Sequence, residues 1–212
     1  RAISPGMLEL FISALVTFFV IIDPPGCAPI FASLTAGSPK EHRRAMALRS
    51  TFVAALILYM FAVFGEAFLG ALGISLDAFR VAGGIMLFII ALEMVFEKRT
   101  ERREHRAEDV KAHPEHEDVS IFPMAIPMIA GPGSIASVML MTSESSGIEE
   151  SLVVLGALAI VLVVNLGALL AAGPLMNFLG YRIEAMITRI LGVVLAALAA
   201  QFVIDGVKAS FA

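Results

Sequence analysis

The chain has 212 residues, 58% of them apolar and only 16% charged, with a mean hydropathy of +0.89; a soluble domain carries about 45–50% apolar and about 25% charged residues. That composition excludes disordered, fibrous and disulfide-scaffold classes, and a net charge of −4 offers no basic surface to a nucleic acid. Cys27 is the single cysteine, so no internal disulfide or dithiol pair can form. What remains is an all-α, polytopic membrane protein with one transmembrane domain over residues 1–212.

A bilayer core ~30 Å thick requires about 20 apolar residues per helix. Six runs meet that length: Leu8–Thr35, Arg49–Gly73, Phe79–Phe96, Ser120–Thr142, Leu152–Gly173 and Ala185–Ile204. They are too long and too uniform for the alternating segments of about ten residues that build a barrel. The first run is also too long for the apolar core of a signal peptide, and Arg1 is the one cation before it. Met7 reads as a natural start. Two runs are interrupted at mid-depth, the first by Asp23-Pro24-Pro25-Gly26 and the fourth by Pro127 and Gly131-Pro132-Gly133. Lys40, Arg43, Arg44 and Arg49 flank loop 1–2, Lys98, Arg99, Arg102, Arg103, Arg106 and Lys111 fill loop 3–4, and Arg182 and Arg189 flank loop 5–6. The other side holds Arg1, Arg80 and Lys208. The positive-inside rule therefore predicts cytoplasmic odd loops and both termini outside the cytoplasmic (inner) membrane.

The halves resemble each other. Pro24-Pro25-Gly26 returns as Gly131-Pro132-Gly133, 107 positions on, and Gly84-Ile85-Met86-Leu87 returns as Gly192-Val193-Val194-Leu195, 108 positions on. Each half holds three spans, an odd number, so the second must enter the membrane upside down. This predicts two inverted repeats with broken helices 1 and 4, the plan of secondary transporters. Repeat 1 covers about 7–97 and repeat 2 about 120–208, joined by a cytoplasmic charged linker over about 98–119.

Two prolines remove two backbone donors and Gly26 relaxes the backbone, so the first helix must break. Interrupted backbone at membrane depth survives only where protein buries it or it lines a cavity. The half-helices starting near Gly26 and Gly133 would aim N–H groups and a positive dipole end at an anion, with Asp23 beside them for a cation. The candidate substrate-binding set is Asp23, Pro25, Gly26, Cys27, Gly131, Gly133 and Ser134. Nothing near these breaks in the sequence offers a counter-charge to a charged side chain, and removal of Asp23 is expected to abolish transport with the fold intact. Glu66, Glu93, Asn165 and Gln201 are candidate pathway-lining residues, Glu93 and Gln201 at matching positions of the repeat. His105, His113 and His116 lie in loop 3–4, whose charges read as a solvated, flexible linker rather than a metal site. No Walker loop, HExxH or GxSxG elbow occurs, so the reading is of a non-enzyme without cofactor or metal. The competing readings are a non-transporting membrane scaffold or assembly protein and a thiol-redox carrier; the second lacks a partner thiol.

Three blocks carry a resemblance: Phe19 to Phe31, with Asp23-Pro24-Pro25-Gly26-Cys27 at its centre; Ala125 to Ile135, with Gly131-Pro132-Gly133-Ser134; and Phe79 to Ile85 leading to Ala91-Leu92-Glu93-Met94. With them the chain resembles the MarC family of integral membrane proteins over nearly its whole length. The resemblance implies a relation to the LysE group of exporters and transport of small neutral amino acids such as glycine or alanine. Its expected partners are that amino acid, the lipid bilayer and a coupling ion, Na+ or H+; oligomeric state stays open.

Overall fold

A computed structural model describes residues 5–112 and 118–211, and the backbone alone at 5, 110–112 and 176–181. The chain forms α1 (Pro5–Ile22), α2 (Pro24–Leu34), α3 (Lys40–Ala71), α4 (Leu76–Val95), α5 (Lys98–Ala112), a π-helical segment (Ser120–Ile129), α6 (Pro132–Ser143), α7 (Ile148–Leu170) and α8 (Ala172–Ser210). No strand occurs among the described residues. Five helices are long and apolar enough to cross a membrane: Gly6–Leu34, Lys40–Ala71, Leu76–Val95, Ile148–Leu170 and Arg182–Ser210. A sixth crossing results if the π segment and α6, bent by 53°, count together.

The ends follow local chemistry. Gly73, at φ +70, closes α3 while Ile74 N–H reaches back to the Leu69 carbonyl at 3.0 Å. Ser75 then caps α4 by accepting from Ala78 N–H at 3.2 Å. Lys40, Arg43 and Arg44 stand on the first turns of α3 rather than in a loop, and α8 absorbs most of the expected loop 5–6.

The largest departure from the sequence reading is in the charged linker. Residues 98–112 are helical, and Arg99, Arg103 and Ala107 are buried on one face of α5. Their i, i+4, i+8 spacing makes α5 an amphipathic helix whose inward face is arginine, not a solvated tether. His105 is exposed beside Glu108; His113 and His116 lie outside the described residues.

Packing divides into two clusters. The main core joins α1, α2, α3, the π segment, α6 and α7 through residues such as Phe18, Leu58, Met124, Val138 and Leu158. A smaller one places Val20 and Ile21 of α1 against Leu87, Ala91 and Met94 of α4 and Leu195 and Ala199 of α8. α4 and α8 run antiparallel at close range. A Cβ on Gly84 would stand 2.9 Å from the Ala199 carbonyl and 2.7 Å from Val203; a Cβ on Gly192 would stand 3.1 Å from the Ala91 carbonyl and from Val95. The outward surface is apolar: Phe52, Leu56, Val63, Phe64 and Phe68 of α3 are exposed, as are Val163 of α7 and Val193 of α8. A soluble monomer rarely shows so extended an apolar surface, whereas lipid solvates it.

Candidate functional site

The first interruption is a single residue. Asp23 adopts the left-handed conformation (φ 58, ψ 64) between α1 and α2, a region an aspartate tolerates better than most residues. Its Oδ1 accepts from Gly26 N–H at 3.2 Å, capping α2. In an uninterrupted helix the N–H groups of residues 24, 25 and 26 would bond the carbonyls of Val20, Ile21 and Ile22. Pro24 and Pro25 have none, and Gly26 N–H is turned to Asp23. Two of those carbonyls recruit side chains instead: Arg99 Nη2 donates to the Ile21 carbonyl at 2.7 Å, and the Cys27 thiol donates to the Ile22 carbonyl at 3.3 Å.

Asp23 is fully buried, and its Oδ2 accepts from Arg103 Nη1 at 2.9 Å. Arg103 is 6% exposed and Arg99 8%. Gly26 leaves room for this pair, since a Cβ there would stand 2.2 Å from Asp23 Oδ2 and 2.6 Å from Arg103 Nη1. Burial would lower the Arg103 guanidinium, but the charge and hydrogen bond of Asp23 oppose it and hold it above its ordinary value. Burial and the adjacent Arg103 bring Arg99 down to about 10, so both stay charged at neutral pH. Arg99 also donates to the Met94 sulfur at 3.0 Å. The break therefore lies level with the end of α4, not its middle.

The second interruption meets the first there. Gly131 has no room for a Cβ, which would stand 2.5 Å from the Pro127 carbonyl, and Gly133 packs against Ile90, Leu87 and Ile21. Between the two breaks is a cavity of about 230 Å³ lined by Ile21 and Ile90, Arg99, Arg102, Arg103 and Arg106 of α5, Pro127 and Met128, and Gly131 to Ser134 at the start of α6. The first N–H groups of α6 lack partners within their own helix and carry its positive dipole end. Arg102 pairs with Glu93 at 2.6 Å. Arg103 Nη2 is buried without a partner among the described residues.

The expected binding residues divide accordingly. Gly131, Gly133 and Ser134 line the cavity; Asp23, Pro25, Gly26 and Cys27 do not, and Asp23 is joined to it through Arg103. Glu93 is joined to it by Arg102. Glu66 is exposed on α3, Gln201 is exposed on α8 and donates to Asp205 at 2.8 Å, and Asn165 is buried on α7 with neither side-chain heteroatom partnered among the described residues; none of the three lines the cavity. The expectation that no counter-charge stands near the breaks is corrected: α5 brings four guanidinium groups there. Sequence reasoning missed Arg99 and Arg103, and also Glu184, 1% exposed on α8, which donor Thr188 reaches at 3.2 Å. Their signal was present in the Arg99-x-x-x-Arg103 spacing and in an intramembrane carboxylate that needs a cation.

A model of the MarC family of integral membrane proteins matches residues 8–211. The chain belongs to the MarC family. Its relatives include UPF0056 membrane proteins of Methanocaldococcus jannaschii (37% identical, 95% of this chain and 97% of the relative) and Archaeoglobus fulgidus (36%, 95% and 93%). The UPF0056 membrane protein YvbG of Bacillus subtilis is 32% identical over 97% of both chains. No solved structure matches.

Proposed function

We propose that this MarC-family protein is a secondary transporter of small neutral amino acids such as glycine and alanine. Its place would be the cytoplasmic (inner) membrane, with both termini outside and α5 on the cytoplasmic face. The carrying observation is the cavity at the second helix interruption, walled by Gly131, Gly133 and Ser134 and lined by Arg103, which ties it to Asp23 at the first. A carboxylate has donors there in Arg103 and the first turn of α6, and the glycines keep the space small. The buried Asp23–Arg103 pair is the complement of a zwitterion: the substrate's carboxylate takes Arg103 and its ammonium takes Asp23. Opening the pair to a net-neutral solute strands no charge, whereas an extra lysine charge, set among four arginines, would cost several kcal/mol in so desolvated a place.

The inverted-repeat plan supports this reading. Gly84 meets Ala199 and Val203, and Gly192 meets Ala91 and Val95; each residue of the first set lies 108 positions from its counterpart in the second. Such reciprocal contacts are what a two-fold relation between halves produces. Helix pairs repeat it, with α1 on α7 answered by the π segment on α3, α2 on α7 answered by α6 on α3, and α4 on α8. Cys27 is buried with its thiol on a backbone carbonyl, which favours a carrier over thiol chemistry.

The test is counterflow in proteoliposomes. Glycine and alanine should exchange with labelled alanine, while lysine and aromatic solutes should not compete. Absence of exchange by folded protein would leave the scaffold reading in its place.

A further inference from the structure

Arginine is over-supplied in the cavity. Of its four guanidinium groups, Arg102 holds Glu93 and Arg103 holds Asp23. Arg99 is engaged only with a carbonyl and a thioether, and Arg106 has no ion pair among the described residues. No aspartate or glutamate lines the cavity. Arg103 is 6% exposed with Nη2 unpartnered, and Ser134, 4% exposed, stands at the start of α6. A zwitterion would leave this positive excess as it found it; an anion would neutralise it.

We propose that the cavity is a carboxylate site in its own right, one that admits small monocarboxylates lacking an ammonium group, such as acetate and propionate. The proposal takes the location of the site from the transporter reading and widens its substrate class. Three features choose a carboxylate over other anions. The guanidinium fork matches a planar carboxylate in two-point hydrogen bonding. Arg102 and Arg103 already hold carboxylates on the protein's own side chains. The remaining walls, Ile21, Ile90, Met128 and Pro132, suit a short alkyl tail rather than a hydrated inorganic ion. The α6 amides and the Arg103 guanidinium receive the oxygens, and Arg99 and Arg106 of the same lining supply the balancing charge.

The test is binding by the purified full chain in detergent, followed by calorimetry and by the thermal midpoint at matched ionic strength. Sodium acetate and sodium propionate should bind at least tenfold more tightly than sodium chloride or inorganic phosphate, and methylammonium should not bind. Arg106→Gln lies outside the buried pair, and it should weaken acetate several-fold. Chloride or phosphate binding as tightly as acetate, or acetate binding unchanged in both Arg106→Gln and Arg99→Gln, would overturn the proposal. The two readings fail separately. Glycine counterflow without acetate binding sinks this inference and keeps the carrier; acetate binding without counterflow does the reverse.

Discussion

Asp23 does three things with one carboxylate: it turns the chain, caps α2 and neutralises Arg103. The pair is buried on both sides, so deleting one member strands the other, an effect of about 3–5 kcal/mol. Asp23→Ala should therefore lower stability as well as transport, in contrast to the intact fold expected from the sequence. Asp23→Ala combined with Arg103→Leu should recover much of the lost thermal stability and none of the transport. Cys27→Ser retains a donor for the Ile22 carbonyl, whereas Cys27→Ala should cost about 1 kcal/mol, read in thermal unfolding. At this scale the break itself was legible, because two prolines after an aspartate in an apolar run have few other meanings. Its partner was not. Arg99 and Arg103 stand among many charges, and a charged stretch outside the apolar runs looks solvated until three-dimensional packing selects one face of it.

Among the elements, the seam between α4 and α8 depends on glycine for closeness rather than for flexibility. A methyl on Gly84 would press on the Ala199 carbonyl and the Val203 amide, both backbone atoms that cannot step aside. Gly84→Ala should destabilise by about 1–3 kcal/mol. Gly156→Ala on α7 meets no atom within 4 Å and should stabilise its helix by up to about 1 kcal/mol. Thermal unfolding of the two variants side by side checks the contrast. The apolar runs predicted the crossings well because length and hydropathy are local properties. Their ends were less legible: α3 and α8 continue through Lys40–Arg44 and Arg182–Arg189, since charged residues carry a helix into the headgroup region as readily as they end it.

For the whole molecule, the arrangement of cations predicts that α5 faces the cytoplasm. A thiol introduced at exposed Glu108 should resist impermeant reagents applied to intact cells and react in inverted vesicles; fully buried Cys27 should give no background. Ready labelling from outside would reverse the orientation. The general class was legible at this scale from composition, but the convergence of both interruptions on the end of α4 was not, because it depends on how six apolar surfaces choose among one another.

The α4–α8 seam has a mechanical meaning. Gly84, Gly192 and Gly206 are notches into which the opposite backbone fits. Slipping one helix by a single residue, about 1.5 Å of rise, would drive a side chain into a place shaped for bare backbone. The two helices are thus geared together and travel as one strut. Whatever moves to expose the cavity must move against that strut, at Asp23 between α1 and α2 and at Glu97, whose left-handed φ of 62 joins α4 to α5.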